Sequence, residues 1–336
     1  MNPRLTAPIG ILDEHPEWSA RLIAELTRRG LPWDKIDHSN HAFDPHDRRP
    51  AYSVIVNRSS PSSHTRGHAA VLFYAEAFLA HVESLGIPVI NPVAAYRFEK
   101  SKALQLGLFE RLGINYPRTV VVNHRDQVLK ASGELRFPIV VKPNIGGSGA
   151  LIERFDTRGD LEARAAALDF GPDGVALVQE LVESEDGAIV RVEVLDDRYL
   201  YAIRIVRPAS AFNLCPADIC RLPEAPRPEA ALPETPSAEL GACPVEAKPG
   251  LQVSRYDAPP AVIEQARALA RGASIDVGGI EYLVGREDGR VYFYDVNATS
   301  NFVANAPEVL GFDPFPPFAD YIVRIATSGR SLPASY

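Results

Sequence analysis

The chain reads as a mixed α/β protein whose first 95 residues form an open, mostly parallel sheet with helices on its faces. Three observations predict this. Short apolar runs alternate with amphipathic helical patterns in β-α-β-α-β order. Hydrophobic residues make up 46% of the chain and charged residues 23%, a globular composition that excludes a disordered polymer. The length, 336 residues, accommodates about two domains at roughly 150 residues each.

The elements follow in order. Residues 9–12 are an apolar strand stopped by Asp13-Glu14. Trp18, Leu22, Ile23 and Leu26 then share one helical face that Gly30 closes. Residues 52–56 read as a buried strand, 66–86 as a helix that Thr65 could cap, and 88–90 as a short strand between Gly86 and Pro92. A helix over 98–113 ends at Gly113, followed by strands at 119–122 and 138–142 around a helix near 125–131. Next come a strand at 151–155, a helix near 160–168 and a strand at 175–179. Two long strands, 189–195 and 199–206, are joined at Asp196-Asp197. Residues 221–260 show little apolar periodicity, and 11 of the 29 prolines lie in 207–260, so this stretch reads as an irregular surface excursion. A helix over 260–272, strands at 279–284 and 291–296, and a helix near 315–328 complete the chain.

Charge and composition narrow the function. Lys plus Arg is 35 and Asp plus Glu is 43, a net charge of −8 that argues against non-specific nucleic-acid binding. No apolar run approaches the roughly 20 residues that span a bilayer. The segment Met1-Asn2-Pro3-Arg4-Leu5 has no signal-peptide core, so a soluble, cytoplasmic protein is expected. Three cysteines make no disulfide framework. Cys215 and Cys220 lack the C-x2-C spacing of a strong zinc site, and with Cys243 they read as small buried thiols rather than metal ligands.

Three segments carry chemistry. Strand 138–142 ends in Lys142 and runs into Asn144-Ile145-Gly146-Gly147-Ser148-Gly149, where glycines let backbone N–H groups approach phosphate oxygens. It is neither a Walker P-loop nor a dinucleotide fingerprint. Strand 291–296 ends Asp295-Val296-Asn297, which puts an acid and an amide on one face as hard oxygen donors for Mg²⁺. Glu281 on the preceding strand joins them only if the turn has the right parity. A two-residue turn at Asp288-Gly289 sets Glu281 opposite Val296; a three-residue turn, Glu287-Asp288-Gly289 with Gly289 left-handed, sets it opposite Asp295. The third segment, Gln179-Glu180-Leu181-Val182, is a strand end of the kind that gives adenine main-chain contacts and apolar walls.

Together these segments resemble the ATP-grasp superfamily, in particular its glutamate-ligase (RimK-like) branch, over residues 92–302. The resemblance adds Lys102 in Glu99-Lys100-Ser101-Lys102, the turn Gly113-Ile114-Asn115-Tyr116-Pro117-Arg118-Thr119, Arg191 and Asn213. It implies an α/β domain at 1–95, an ATP-grasp small lobe at 96–182 with the glycine-rich loop, and a large lobe at 183–336, the two α+β lobes gripping ATP. It implies that Lys102 and Lys142 contact the phosphates, with Gly146, Gly147, Ser148 and Gly149 around them. Gln179, Glu180, Leu181 and Val182 would flank adenine, which Glu180 and Val182 hold through their main chain; Asn213 would lie near the triphosphate. Glu281, Asp295 and Asn297 would bind Mg²⁺, with Mn²⁺ as a substitute. Arg191 and Arg204, on neighbouring strands, would face the transferred phosphate as the catalytic cations. The chain departs from the family at Ile189, where an acid is common, so ribose falls to Glu183, Glu185 or Asp186. Ala211 stands where an arginine is common, and Glu281 replaces a usual aspartate.

The implied activity is ATP-dependent carboxylate–amine (or thiol) ligation through an acylphosphate, on a small or peptide acid. A small-molecule kinase on the same scaffold and a non-catalytic ATP-binding module are the alternatives, and homo-oligomerisation is left open. Asn57, Arg58, Ser60 and Arg66 follow a strand at the carboxyl edge of the first sheet, where α/β proteins bind ligands, and are the expected substrate contacts.

Overall fold

The computed structural model describes residues 5–147, 149–184, 186–206 and 252–328. Ser148, Glu185, Asn213 and the three cysteines lie outside the described residues.

The first sheet is parallel, in the order β2-β1-β3-β4, from β1 (Ile9–Leu12), β2 (Trp33–Ile36), β3 (Val54–Asn57) and β4 (Val89–Ile90). Helix α1 (Ala20–Arg28) covers one face and α2 (Val71–Ser84) the other. The sequence reading misses β2, a short edge strand whose central residues, Asp34 and Lys35, are charged. The helix expected from Arg66 begins only at Val71. A 3₁₀ turn, Pro61–Arg66, precedes it and ends at Gly67, whose φ of 84° breaks the helical path. Thr65 caps nothing; its hydroxyl donates to the Ser62 carbonyl at 2.8 Å.

The helix expected over 98–113 is two helices, α3 (Val93–Lys100) and α4 (Lys102–Arg111), separated by the extended residue Ser101, which caps α4. Leu108 and Phe109 of α4 are buried in the core of the five-stranded sheet described below, rather than in the small lobe to which the sequence reading joined them. A four-stranded antiparallel sheet, β5-β8-β6-β7, follows: β5 (Thr119–Val122), β6 (Ile139–Pro143), β7 (Glu153–Phe155) and β8 (Ala176–Glu180). Helices α5 (Val128–Ser132) and α6 (Arg158–Arg164) close its core.

The third sheet is antiparallel in the order β11-β10-β9-β12-β13, from β9 (Ala188–Leu195), β10 (Arg198–Val206), β11 (Gln252–Arg255), β12 (Val277–Val284) and β13 (Val291–Asn297). Strand β11 falls within the stretch read as irregular; three of its four residues are exposed, which explains its weak pattern. Alternation sorts the sheet into two faces. Val190, Val192, Ile280, Tyr282 and Phe293 pack with α4 and α7 (Pro260–Gly272). Ile189, Tyr201, Ile203 and Leu283 belong to the core that also contains α9 (Phe315–Ser328) and the α1 face of the first sheet; the short helix α8 (Ala306–Leu310) borders it.

Asn91, at the end of β4 with φ 57°, stitches the first sheet to the third. Its side-chain oxygen accepts the Asp276 and Val277 N–H groups at 2.8 and 3.2 Å, and its amide donates to the Val277 and Ala298 carbonyls. Tyr321 of α9 donates to Asp276 at 2.7 Å, which ties the last helix into the same joint.

Candidate active site

The site lies on the face of the third sheet formed by Arg191, Glu281 and Asp295, and a bulge in β13 sets its register. The β12–β13 loop does not have the three-residue form expected from the sequence. Gly285 N–H donates to the Arg290 carbonyl at 2.8 Å, which leaves a four-residue loop, 286–289, with Gly289 at φ 66°. That loop alone would set Glu281 opposite Tyr294. A shift between the Glu281/Asp295 and Tyr282/Phe293 pairs makes Tyr294 the extra residue and brings Asp295 opposite Glu281. The expected pairing therefore holds, by a different route. Glu281 in turn pairs with Arg191, so Asp295, Glu281 and Arg191 form one rung across three strands; Asn297, Gly279 and Glu193 form the next on the same face.

Lys102 reaches this rung from the first turn of α4. Gln105 pins that helix to the edge strand, its amide donating to the Val296 carbonyl at 2.9 Å and accepting Val296 N–H at 3.1 Å, as a neighbouring strand would. The Lys102 ammonium then donates to Asp295 Oδ1 at 2.6 Å. Lys142, at the end of β6, faces the same cavity; its ammonium has no hydrogen-bonded carboxylate among the described residues. Asn144 joins the two lysine segments, its Oδ1 accepting from Ala103 N–H at 2.8 Å. Gly147 lies against the 3₁₀ turn of the first domain, where a Cβ would fall 2.8 Å from Ser62 Cβ.

The resulting cavity, about 180 Å³, is lined by Lys102, Lys142, Arg191, Glu281, Asp295 and Asn297, by the loop glycines Gly146, Gly147 and Gly149, and by Ser60. Burial raises the Glu281 carboxyl, against the nearby Arg191, and the Asp295 charge adds to the rise. Burial also acts to raise Asp295, but Lys102 outweighs it and holds this carboxyl below its usual range. Burial, followed by repulsion from Lys102, pushes the Lys142 ammonium down to about 7. No cluster of three or more His, Cys, Asp or Glu side chains that could hold a metal occurs among the described residues. The donor set here is two carboxylates and an amide, all hard oxygen donors, on adjacent rungs, and it fits Mg²⁺.

A second cavity of about 410 Å³ is lined by Glu180, Leu181, Val182 and Glu183 and by residues 285–288 of the β12–β13 loop. Val182, Tyr292 and Tyr294 belong to the same apolar cluster as Ile189 and Leu283, which supplies a greasy wall beside this segment. Of the ribose candidates, Glu183 lines the cavity, whereas Asp186 pairs with Arg204.

Several expected residues lie elsewhere. Gln179 donates its side-chain amide to Thr119 at 2.7 Å and lines neither cavity. Arg204 sits on the opposite face from Arg191: the β9–β10 register shifts between Tyr199 and Tyr201, so Leu200 is a bulge and Arg204 pairs with Val190 instead of sharing the Arg191 face. Asn57 donates to the Asn91 carbonyl at 3.1 Å and accepts Ser59 N–H, a structural joint. Arg58 is 2% exposed and donates to the Ser300 carbonyl and Asn301 Oδ1, so it braces the first domain against the segment after β13 and presents no cation to a ligand. Arg66 pairs with Glu14 and lies over the Trp18 ring at 5.0 Å. Only Ser60 of the expected substrate set lines the cavity.

Glu99 and Glu193 line the cavity and were not anticipated. Glu193 could have been found from its place two residues after Arg191 on one strand face. Glu99 accepts Ala298 and Thr299 N–H groups beyond the end of β13, a contact no local pattern announces; burial pushes its carboxyl up to about 7.

No family model matches the chain. It is 28% identical over 197 residues to a protein named probable alpha-L-glutamate ligase from Marinobacter nauticus, a match covering 57% of this chain and 64% of that protein. The chain thus spans a little under two-thirds of that relative. Among solved structures it is similar to the ATP-grasp ligase PsnB complexed with minimal precursor, Mg, and ADP, with a TM-score of 0.64 and 18% identity over 97% of this chain and 99% of that one. It is also similar to D-cycloserine synthetase DcsG, with a TM-score of 0.66 and 17% identity over 96% and 100% of the two chains. A parallel α/β domain followed by two α+β lobes, matched over nearly the whole chain, establishes that this protein has the ATP-grasp fold, and its sequence similarity is to the probable glutamate ligases, the branch its motifs resemble.

Proposed function

We propose that the protein is an ATP-dependent carboxylate–amine ligase. The observation that supports this most is the convergence of two lysines, an arginine, two carboxylates and an amide on one cavity beside a glycine-rich loop. Lys102, Lys142 and the loop N–H groups hold the phosphates; Glu180 to Val182 and the apolar wall hold adenine. Glu281, Asp295 and Asn297 hold Mg²⁺, with Mn²⁺ as a substitute, and the bound ion neutralises charge on the transferring phosphoryl group. A substrate carboxylate oxygen attacks the terminal phosphorus and ADP leaves; an amine then attacks the acyl carbon, phosphate leaves, and the amine loses a proton. The residues act by position and charge, and no side chain forms a bond to substrate. The acid is read as a small molecule or peptide and the setting as cytoplasmic; no helix among the described residues is long and apolar enough to cross a membrane. The test is ADP and phosphate release from Mg-ATP with panels of acids, with and without amines. Release that needs both substrates and yields an amide supports the reading. A stable phosphorylated product formed without any amine would make it a kinase, and no release with any acid would remove the enzyme assignment.

The Lys142 environment adds a pH dependence. With its ammonium at about 7 in the free protein, the group is charged below that pH and increasingly neutral above it. Phosphate oxygens favour the charged form, so nucleotide binding takes up a proton on the alkaline side. Nucleotide affinity is expected to fall as pH rises from about 6.5 to about 8.5, by at most roughly tenfold per unit above the lysine's own value. Calorimetry in buffers of different ionisation enthalpy should record the proton. In Lys142→Arg, whose side chain stays charged, the slope should vanish, and an unchanged slope there would exclude Lys142 as its source.

A further inference from the structure

The way Arg191 is held goes beyond its own position. Its guanidinium leans from its own rung onto the next, over Gly279. A Cβ built on Gly279 would fall 2.2 Å from Arg191 Cζ, Nε and Nη2 alike, so the missing side chain is the space the guanidinium occupies. Gly279 is not in a left-handed conformation, so backbone freedom does not account for the glycine. Two carboxylates then fix the planar group. Nε donates to Glu193 Oε1 at 2.6 Å and Nη1 to Glu281 Oε1 at 2.8 Å. Ser300 holds the same Glu193 oxygen at 2.9 Å. The other Glu193 oxygen is buried with no partner, an energetic cost that would make little sense if the carboxylate served packing alone. Nη2 has no hydrogen-bond partner among the described residues, and Arg191 lines the cavity.

We propose that Gly279 and Glu193 are positioning residues that present Arg191 Nη2 to the terminal phosphate of ATP: the glycine vacates the seat and the carboxylate locks the plane. The proposal rests on the ATP reading above. It assigns Glu193 no contact with substrate; its effect passes through Arg191, whose rigid fork gains direction from two anchored nitrogens. A merely structural Glu193 would weaken all nucleotides alike.

The test is calorimetric binding of the non-hydrolysable analogue AMPPNP and of ADP, each with Mg²⁺, which needs no turnover. Wild-type protein should prefer AMPPNP, and Arg191→Ala should remove that preference. Gly279→Ala and Glu193→Leu should each weaken AMPPNP roughly tenfold with ADP affinity unchanged within about twofold. Glu193→Gln, which keeps an acceptor for Nε and is the variant least prone to misfold, should retain more than Glu193→Leu. Added to Arg191→Ala, Glu193→Gln should cost nothing further, because the group it positions is gone. Equal losses for AMPPNP and ADP, or the same Glu193 loss with and without Arg191, would overturn the proposal while leaving the ligase reading intact. Wild-type protein that binds neither nucleotide would overturn both.

Discussion

Asp295→Asn should reduce Mg-ATP-dependent ADP release by roughly 10²–10³-fold, the scale on which losing one preorganised electrostatic group acts on a developing charge. Asp295 stands at the meeting point of the site: it is the acid opposite Glu281, it pairs with Lys102 at 2.6 Å, and its charge adds to the rise of Glu99 while opposing the fall of Lys142. Replacing the carboxylate by an amide removes a full negative charge from the proposed metal set, while an oxygen remains to accept the Lys102 ammonium. The fold should therefore persist, since both side chains border the cavity, at 17% and 21% exposed, and the amide leaves the ammonium an acceptor. ADP release together with a thermal melt decides it. Turnover within about tenfold of wild type in a normally melting variant would take Asp295 out of the metal set.

Asn91→Ala should be among the most destabilising single changes in the chain, at roughly 4 kcal/mol. The side chain serves four buried backbone groups, the N–H groups of Asp276 and Val277 and the carbonyls of Val277 and Ala298. Alanine satisfies none of them, and it tolerates the φ of 57° at this position less well than asparagine. Because these bonds join the first sheet to the start of β12 and the end of β13, the loss should also slacken the rung of Asp295, Glu281 and Arg191. Denaturant unfolding measures the effect, and a loss below about 1 kcal/mol would mean that water replaces the amide without penalty. The change is to be read as a stability effect, since Asn91 does not line the cavity.

The residues that the sequence placed correctly in the cavity are those whose position follows from local rules. Lys142 ends an apolar strand, the glycines follow it, and Asp295 and Asn297 share a face because strand side chains alternate with period two. Lys102, absent from any pattern of its own, was reached through resemblance, and Gln105 explains its placement only in three dimensions. Of the expected substrate set at residues 57–66, Ser60 lines the cavity and Arg58 is buried away from it. A loop leaving the carboxyl edge of a parallel sheet can face a ligand or another part of the chain. Here the third sheet and the segment after β13 arrive there first, and they bury Arg58.

Which of the charged strand residues meet was decided by register, and register depends on bulges that leave no mark in a one-dimensional pattern. One extra residue, Tyr294, turns Asp295 to the face of Glu281; another, Leu200, turns Arg204 away from the face of Arg191. Sequence periodicity specifies alternation along each strand on its own, so the apolar strands and the Asp295–Asn297 pair were legible from it, whereas the polar edge strands β2 and β11 were not. The face that one strand shows to its neighbour depends on loop length plus bulges. Packing sets those: α4 against β13, α9 against the first and third sheets, and the guanidinium of Arg191 in the gap over Gly279.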